Sequence, residues 1–297
     1  MSFVTLGTFD AVHRGHKYLL TLLEREAKRY GFKSTALYFN TPPKLLLTKN
    51  TTGNILTLPH EKRKLIISTG VDKAVKINFN RQFARMSCEK FFQDTLMKKY
   101  AMKGLIVGKD FAFGHNRSGH MDFLRHQCAK YAIPLTVVSF VCAYGHKISS
   151  SVLRQILSKG EIEKVNNMLG RHYSASGIVI KEKQLGRKLG FPTANLKVNP
   201  DKMLPKGVFA VKVHLSDGIY NGVCNIGHRP TIENIQHKHL ATEIHILDFD
   251  KTIYGKTITF EFLWKIRNEK KFKSIDELKS QISRDVLKAR KKISFFK

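Results

Sequence analysis

The sequence predicts two domains of different fold class, an α/β domain followed by a mainly antiparallel β-barrel domain with a C-terminal helix. In the first 170 residues, apolar runs alternate with amphipathic helical patterns, which is typical of a parallel sheet covered by helices. From residue 175 onward, runs with a period of two residues are separated by Gly, Asp, Asn and Pro, as in a small barrel. The 297 residues suffice for two separate cores, and we place the domain boundary between residues 170 and 171, shortly before the pattern changes.

The first predicted domain begins with an apolar strand at residues 3–6, followed by a glycine turn and a helix. The helical patterns that follow cover residues 19–30, 61–68, 88–100, 121–131 and 161–170. The buried-strand patterns cover residues 34–39, 75–79, 104–107 and 135–141. Ligands of parallel sheets bind beyond the carboxyl ends of the strands, so the loops after these strands are the expected place for a site.

The second predicted domain contains period-two runs at residues 178–181, 208–215, 220–226, 242–247 and 258–263. A closing helix at residues 274–291 carries an apolar side made of Ile275, Leu278, Ile282 and Val286. These patterns predict a barrel with a helix at its end.

The chain is strongly basic, with 52 Lys and Arg against 23 Asp and Glu and a formal charge of +29. Such an excess is compatible with nucleic-acid binding, but the basic residues are spread along the chain and no RNA- or DNA-binding motif appears. We interpret the excess as a surface property that attracts anionic nucleotides, with polyanion binding as the alternative. Several lysines lie opposite apolar residues in helical patterns and are expected on solvated faces: Lys62, Lys64, Lys98, Lys99, Lys270, Lys271, Lys291 and Lys292.

Cysteine usage and hydropathy predict a soluble cytoplasmic protein. The four cysteines are scattered without a C-x-x-C pair, and no secretory leader is visible, so neither a disulfide framework nor a zinc site is expected. No apolar run approaches the roughly 18 residues that a membrane span requires.

The most informative stretch follows the first strand and runs from Gly7 to His16. It places His13 and His16 one helical turn apart at a helix start, where unpaired backbone N–H groups favour an anion such as a polyphosphate. Gly7 and Gly15 allow the backbone to turn and a ligand to approach closely. The plain alternative is a pair of surface histidines beside a turn.

Two later loops also contain residues that suit ligand binding. Residues 107–119 contain three glycines and two phenylalanines, which either stack on a flat ring or pack inward as an ordinary connection. In residues 147–154, Ser149 or Ser150 precedes a helix whose first turn carries Arg154. The serines suit a helix cap, and together with Arg154 they suit phosphate oxygens.

These segments resemble, in the same order, the motifs of bacterial bifunctional riboflavin kinase/FAD synthetases. Residues 7–16 are similar to the G-x-F-D-G-x-H-x-G-H signature of the nucleotidyltransferase module, with Ala11 at the position of a glycine. Residues 108–114 resemble G-x-D-F-x-F-G, and residues 148–154 resemble I-S-S-T-x-I-R with Ser151 for the threonine. Residues 39–43 lack the histidine of the family's F-x-P-H-P, which affects the expected flavin contacts.

The resemblance implies a Rossmann-like nucleotidyltransferase domain in residues 1–170. It further implies that His13, His16 and Arg154 bind ATP phosphates and stabilise the charge that develops when the α-phosphorus is attacked. Asp110 and Phe111 are implied flavin contacts. The implied ATP-binding residues are Gly7, Phe9, Asp10, Gly15, Ser150 and Ser151.

Residues 186–196 resemble the G-R-x-L-G-F-P-T-A-N-L signature of riboflavin kinases at every specified position. The resemblance implies that Gly186 and Arg187 bind ATP and that Thr193 and Asn195 are ligands of Mg²⁺, a cation that prefers hard oxygen atoms. Without the resemblance, the segment would be interpreted as a proline turn with a capping threonine. Phe191 in the same segment is an implied flavin contact.

Three further segments of the second half are similar to this family. Residues 222–231 resemble G-V-A-N-I-G-x-R-P-T, which makes Asn225 an implied flavin contact. Residues 242–255 resemble the strand and turn of the kinase's catalytic glutamate, so Glu243 is the implied general base, with a half-exposed surface acid as the alternative. Residues 264–272 resemble F-L-R-x-E-x-x-F, which makes Arg267 an implied flavin contact.

One departure affects the kinase half. Glu182 replaces a glycine of the family's phosphate loop, so a carboxylate and a Cβ lie where ATP phosphates would approach. The main expectation is an enzyme that converts riboflavin and ATP to FMN in the second domain, and FMN and ATP to FAD in the first, with Mg²⁺. The alternatives are a monofunctional FAD synthetase with an impaired kinase, a basic nucleic-acid-binding or regulatory protein, and transfer of adenylate to another phosphorylated acceptor.

Overall fold

The computed structural model describes residues 1–48, 51–182, 185–228 and 240–294. The chain divides into two compact units, Met1–Val152 and Leu153–Lys297. The first unit contains a parallel sheet with helices, and the second contains a closed antiparallel barrel and a C-terminal helix. Both predicted fold classes are therefore confirmed.

The parallel sheet of the first unit has the strand order β3-β2-β1-β4-β5 among the described residues. Its strands are β1 (Ser2–Gly7), β2 (Lys33–Phe39), β3 (Lys73–Ile77), β4 (Met102–Gly108) and β5 (Leu135–Val138). Every pairing in it is parallel. Since the strand order reverses between β1 and β4, the crevice outside their carboxyl ends is where such a fold binds ligands.

Helices of the first unit connect and cover these strands. They are α1 (Arg14–Arg29), α2 (Pro43–Leu47), α3 (Pro59–Ile67), α4 (Arg81–Ala84), α5 (Cys88–Lys90) with a continuing π-helix (Phe91–Lys99), a 3₁₀ turn (His115–Arg117) and α6 (Met121–Lys130). A short hairpin of β6 (Cys142–Ala143) and β7 (His146–Lys147) follows. The sequence patterns did not reveal α2 and α4, because helices of five and four residues are too short to establish a periodicity.

Both faces of the sheet are buried, which explains the apolar character of its strands. Leu6 and Leu105 pack on one side, and Phe3 and Ile106 pack on the other. Lys62 of α3 is also fully buried, so the prediction of a solvated side chain is wrong for this lysine. The other seven lysines assigned to solvated faces are exposed.

Six strands of the second unit close a barrel within the part of the chain that the structure describes, in the order β10-β11-β12-β9-β8-β13. They are β8 (Tyr173–Ile180), β9 (Ala194–Val198), β10 (Gly207–Leu215), β11 (Gly218–His228), β12 (Leu240–Ile246) and β13 (Thr257–Arg267). The remaining helices are α7 (Ser150–Ser158), α8 (Ile162–Leu169), α9 (Leu185–Lys188) and α10 (Ile275–Ser294). Across the residues given above, no helix is both long enough and apolar enough to span a membrane.

The division between the two units falls before the boundary predicted from the sequence. Helix α8 contacts the barrel strands, because the Asn166 amide donates a hydrogen bond to the Phe262 carbonyl oxygen (2.8 Å) and its Oδ1 accepts one from the Tyr173 N–H (2.7 Å). By its contacts, α8 therefore belongs to the second unit. The predicted functional boundary between residues 170 and 171 stays a prediction.

Candidate active sites

In the first unit, the two histidines of the opening motif lie together at the start of α1. The His13 ring is the N-cap, and its Nδ1 accepts a hydrogen bond from the His16 backbone N–H at 3.3 Å. The two rings stack with a centroid distance of 3.7 Å and an interplanar angle of 16°. Since Nδ1 of His13 is an acceptor, the neutral ring carries its proton on Nε2. Two imidazoles at a positively polarised helix start form an arrangement suited to an anion.

The turn before α1 has an unusual backbone conformation. Phe9, Ala11 and Val12 have φ values of 45°, 73° and 40°. Residues other than glycine rarely adopt this left-handed region, and such strain is concentrated at functional sites. The conformation of Ala11 explains why a glycine suits this position in the motif.

Glycines on either side of the turn allow close packing of aromatic rings. A Cβ at Gly7 would lie 3.0 Å from the Phe9 ring, and a Cβ at Gly15 would lie 3.3 Å from the His13 ring. The Phe9 ring in turn meets the His16 ring edge to face at 5.1 Å. These glycines thus let the turn fold against the two histidines.

Asp10 is completely buried, and its carboxylate is directed at a distant backbone segment. Its Oδ1 accepts a hydrogen bond from the Thr57 N–H at 3.0 Å, and its Oδ2 accepts one from the Leu56 N–H at 3.4 Å. Its backbone carbonyl oxygen accepts a hydrogen bond from the Ser150 hydroxyl at 2.8 Å. Asp10 therefore holds the turn to the segment before α3 and to the start of α7, while its predicted contact with ATP stays a prediction.

Lys62 is a residue of this region that the sequence interpretation missed. Its Nζ donates hydrogen bonds to the carbonyl oxygens of Thr8 (2.9 Å), Phe39 (2.7 Å) and Asn40 (2.9 Å). One signal could have found it, because Lys62 lies four residues before the buried Ile66 and therefore on the apolar side of α3.

The start of α7 only partly matches the predicted phosphate site. The Ser149 hydroxyl accepts a hydrogen bond from the Val152 N–H (3.3 Å) and caps the helix, while the Ser150 hydroxyl is bonded to the Asp10 carbonyl oxygen. Ser151 is exposed, and Arg154 follows Ser150 by one helical turn, in the second compact unit. The predicted phosphate contacts of these residues stay predictions.

The loop after β4 combines an exposed and a packed part. Asp110 is exposed and forms an ion pair with Lys147 (2.5 Å). The half-buried Phe111 ring stacks on the ring of buried Phe113 at 5.6 Å, so part of this loop follows the inward-packing alternative. The predicted flavin contacts of Asp110 and Phe111 stay predictions.

In the second unit, Gly186 is enclosed by the loop that follows α9. Its carbonyl oxygen accepts a hydrogen bond from the Phe191 N–H (2.8 Å). A Cβ at Gly186 would lie 2.5 Å from the Phe191 carbonyl oxygen and 2.9 Å from Thr193 Oγ1. Gly186 is therefore sterically required for this loop, whereas Arg187 is exposed beside it.

Three predicted site residues form a row across adjacent barrel strands. Asn225 of β11 pairs with Glu243 of β12, which pairs with Asn195 of β9. Directly paired residues share one face of a sheet, and the alternate row through Cys224 and Ile244 is fully buried on the opposite face. The barrel thus brings together an implied flavin contact, the implied base and an implied metal ligand.

The environment of this row fits the roles implied for it. Asn195 is buried, and its Oδ1 accepts no hydrogen bond from any described residue, which leaves an oxygen suited to a hard cation. Burial raises the pKa of the Cys224 thiol well above its usual range, and the nearby Glu243 carboxylate adds to this increase. Within the described ranges, no group of three or more His, Cys, Asp or Glu residues could hold a metal ion.

His245 connects the row to the loop after α9, a contact that the sequence did not indicate. Its Nδ1 donates a hydrogen bond to the Pro192 carbonyl oxygen at 2.8 Å, and its ring meets the Phe191 ring edge to face at 5.6 Å. His245 lies two residues after Glu243 on β12 and therefore on the same face. It holds the loop that carries Thr193 against the strand that carries Glu243.

Arg267 lies at the end of β13 and contacts the C-terminal helix. Its Nε donates a hydrogen bond to Asp285 Oδ2 at 2.8 Å, and the Asp285 side chain is only 2% exposed. Its guanidinium also lies 5.7 Å from the centre of the Phe272 ring. These contacts position α10, and the predicted flavin contact of Arg267 stays a prediction.

Two predicted features extend beyond the described residues. Glu182 is half-buried. The next residue, Lys183, lies outside the described residues. Residues 229–231 of the motif that contains Asn225 also lie outside them.

Comparisons with known proteins find a separate family model for each part of the chain. The family model for FAD synthetase matches residues 1–152, and the model for riboflavin kinase matches residues 169–293. The bifunctional riboflavin kinase/FMN adenylyltransferase of Escherichia coli (strain K12) is 37% identical, covering 97% of this chain and 91% of its own. The protein of the same name from Haemophilus influenzae is 36% identical over 95% of this chain and 91% of its own.

A solved structure shares the fold along nearly the whole chain. It is a crystal structure described as that of a macrolide-efflux protein from Streptococcus pneumoniae, with a TM-score of 0.87 and 28% identity. The match covers 97% of this chain and 93% of that one. The two family models and the relatives above 30% identity show that the chain belongs to the family of bifunctional riboflavin kinase/FMN adenylyltransferases.

Proposed function

We propose that this chain makes FMN from riboflavin and FAD from FMN, with ATP as co-substrate in both reactions. The observation that carries this conclusion is the presence of both family models, in order, along one chain that its relatives match over nearly their full length. Neither a monofunctional FAD synthetase nor a nucleic-acid-binding protein is favoured by these matches. We assign adenylyl transfer to residues 1–170 and phosphoryl transfer to residues 171–297, and we place the enzyme in the cytoplasm.

In adenylyl transfer, an oxygen of the FMN phosphate attacks the α-phosphorus of ATP, and the bond to the β-phosphate oxygen breaks to release pyrophosphate. The attacking phosphate is already an anion, so no protein base is required. The work of the protein is therefore positioning and charge stabilisation. We assign this work to His13, whose Nε2–H donates to phosphate oxygens, to the stacked His16 and to Arg154. The strained turn at Phe9–Val12 supports this assignment, because backbone strain is concentrated at functional sites and the Phe9 ring of this turn contacts the His16 ring.

In phosphoryl transfer, the ribityl 5′-hydroxyl oxygen attacks the γ-phosphorus, its proton passes to Glu243, and ADP leaves. The pairing of Glu243 with Asn225 and Asn195 supports this role, because it places the base between the implied flavin and metal contacts. Asn195 Oδ1 and Thr193 Oγ1 are the atoms that would hold Mg²⁺. When bound, Mg²⁺ neutralises phosphate charge. Gly186 and His245 keep the loop that carries Thr193 in place.

The test is a two-reaction assay on the full chain with ATP and Mg²⁺. Riboflavin should yield FMN and then FAD, and supplied FMN should yield FAD. His16→Ala should reduce FAD formation and leave FMN formation from riboflavin intact. Glu243→Gln should reduce FMN formation from riboflavin and leave FAD formation from supplied FMN intact. Loss of both activities in either variant would contradict the assignment of the two reactions to separate sites.

The same assay, together with a measurement of RNA binding, distinguishes the proposed function from its alternatives. FAD formed only from supplied FMN would favour the monofunctional synthetase, in which Glu182 keeps ATP out of the second site. Binding of a mixed-sequence RNA more tightly than ATP, without turnover of any flavin, would favour the polyanion-binding alternative. FAD formation from riboflavin excludes both.

A further inference from the structure

A buried ammonium group lies at the edge of the sheet where the nucleotide is proposed to bind. Lys62 is fully buried, and its Nζ donates hydrogen bonds to three backbone carbonyl oxygens at 2.7–2.9 Å. Two of the acceptors, Phe39 and Asn40, are at the end of β2, and the third, Thr8, directly follows β1. Lys62 therefore joins the carboxyl ends of two adjacent strands.

The positive charge of the Lys62 ammonium group matters because backbone carbonyl oxygens lie at this edge of the sheet. Backbone carbonyl oxygens carry partial negative charge, and ligands of a parallel sheet bind in the crevice outside the carboxyl ends of its strands. A triphosphate and a flavin phosphate are both repelled by such oxygens. An ammonium group that binds three of them replaces local negative potential with positive potential, and it acts in a medium that screens charge poorly.

One of these carbonyl groups, that of Thr8, belongs to the segment that contacts the histidine pair. Thr8 lies between Gly7 and Phe9, and the Phe9 ring contacts the His16 ring. The segment that leads into α3 is fastened to the same turn by the hydrogen bonds from the Leu56 and Thr57 N–H groups to Asp10. Two sets of hydrogen bonds therefore hold the ammonium group next to the motif turn: its own bond to Thr8, and the bonds of Asp10 to the segment before α3.

We propose that Lys62 is a positioning residue for adenylyl transfer, because its buried charge makes the carbonyl-lined edge of β1 and β2 compatible with the phosphates of ATP and with pyrophosphate. This inference rests on the proposed function. Lys62 contacts backbone atoms, so it acts through Thr8 and Asn40 and takes no direct part in the reaction. Its contribution increases with the negative charge of the ligand, which a purely structural role would not produce.

The experiment compares a charged and a neutral inhibitor of FAD formation from supplied FMN, in the full-length protein. Pyrophosphate probes the phosphate region, and adenosine probes the uncharged part of the nucleotide site. Lys62→Met preserves the length of the side chain but removes the charge and the donors, and Lys62→Gln removes the charge but keeps an amide donor. Lys64→Met, at an exposed position of the same helix, is the matched control.

We expect the inhibition constant of pyrophosphate to rise by about tenfold in Lys62→Met and Lys62→Gln, which is the effect of one unit charge about 12 Å away at an effective dielectric constant of about 20. The constant for adenosine should stay within about twofold, and Lys62→Arg should restore the pyrophosphate constant. Equal changes for both inhibitors, or no change, would overturn the inference. If Lys62→Met does not fold, the inhibition constants of Lys62→Gln test the inference. Loss of folded protein in both neutral variants would overturn it, because Lys62 would then have a role in folding alone.

The inference and the proposed function fail in different ways. If the unmodified chain makes no FAD from FMN, the proposed function is wrong. If it makes FAD and the ratio of the two inhibition constants does not depend on the charge at position 62, only the role of Lys62 is wrong.

Discussion

Replacement of Asp10 by alanine is expected to loosen the segment before α3 and to reduce adenylyl transfer. The carboxylate is 0% exposed and accepts hydrogen bonds from two backbone N–H groups, those of Leu56 and Thr57, whose residues are 1% and 2% exposed. Alanine removes both acceptors and leaves these buried donors without the carboxylate. The motif turn then loses its attachment to the segment before α3, while the hydrogen bond from Lys62 of α3 to the Thr8 carbonyl oxygen remains.

The magnitude follows from the two hydrogen bonds. An unsatisfied buried donor costs about 1–3 kcal/mol, so two donors cost about 2–6 kcal/mol. The bond from Leu56 is long at 3.4 Å, which favours the lower half of that range, about 3 kcal/mol. Asp10→Asn keeps one acceptor oxygen and directs an NH₂ group at the other donor, so a loss of about 1–3 kcal/mol is expected.

The assay is hydrogen exchange at the Leu56 and Thr57 amides, combined with the two activities. A loss of about 3 kcal/mol in local opening free energy lowers amide protection by roughly a hundredfold. FAD formation from FMN should fall, while FMN formation from riboflavin serves as an internal control because the second unit is untouched. Asp122→Ala, at a side chain that is 82% exposed, is the matched control. Unchanged protection in Asp10→Ala, or the same loss in Asp122→Ala, would refute this reasoning.

Three further predictions concern the barrel and the sheet. Gly186→Ala should reduce FMN formation by at least about tenfold, since its Cβ meets a backbone carbonyl oxygen at 2.5 Å, and should leave FAD formation from FMN unchanged in the two-reaction assay. His245→Asn, whose amide can occupy the place of Nδ1, should keep the hydrogen bond to Pro192 and most FMN formation, whereas His245→Gln should lose both; equal activities would contradict this. Hydrogen bonds from Ser34 lower the pKa of Asp72 from 3.8 to about 2, so its stabilisation is complete above pH 3.8 and is lost as the pH falls through 2. Asp72→Asn should therefore reduce the free energy of unfolding by about 1 kcal/mol at pH 7, after allowance for partial exposure, and by much less at pH 2, as measured by urea unfolding.

Local features of the sites were predictable from the sequence because they depend on neighbouring residues. His13 and His16 are three residues apart at a helix start, and helical geometry alone brings such side chains together. The departure at Ala11 was visible in the motif, and its φ of 73° supplies the reason why glycine suits that place. The resemblance to the family, confirmed by both family models, rests on the same short strings.

Contacts between distant segments were not predictable in this way. The partners of Asp10 lie more than 45 residues further along the chain, and those of Lys62 lie 22, 23 and 54 residues before it. The charge of Lys62 suggested a solvated face, but three carbonyl oxygens compensate for the loss of water around its ammonium group. Burial of a charged group is decided by which polar atoms other segments bring to it, and a local pattern does not contain that information.

The amino-acid sequence by itself determined the two fold classes, the family and the place of the histidine pair, because hydrophobic periodicity and short motifs act over a few residues. Only the tertiary structure decided that Asn225, Glu243 and Asn195 stand side by side, since strand register in a closed barrel sets which residues pair. It also decided that Asp10 bonds to the segment before α3 and that Lys62 is buried against the turn before α1 instead of facing solvent. The physical reason is the same in both cases: hydrogen bonds between segments far apart in the chain form only after the sheet and the barrel have brought those segments together.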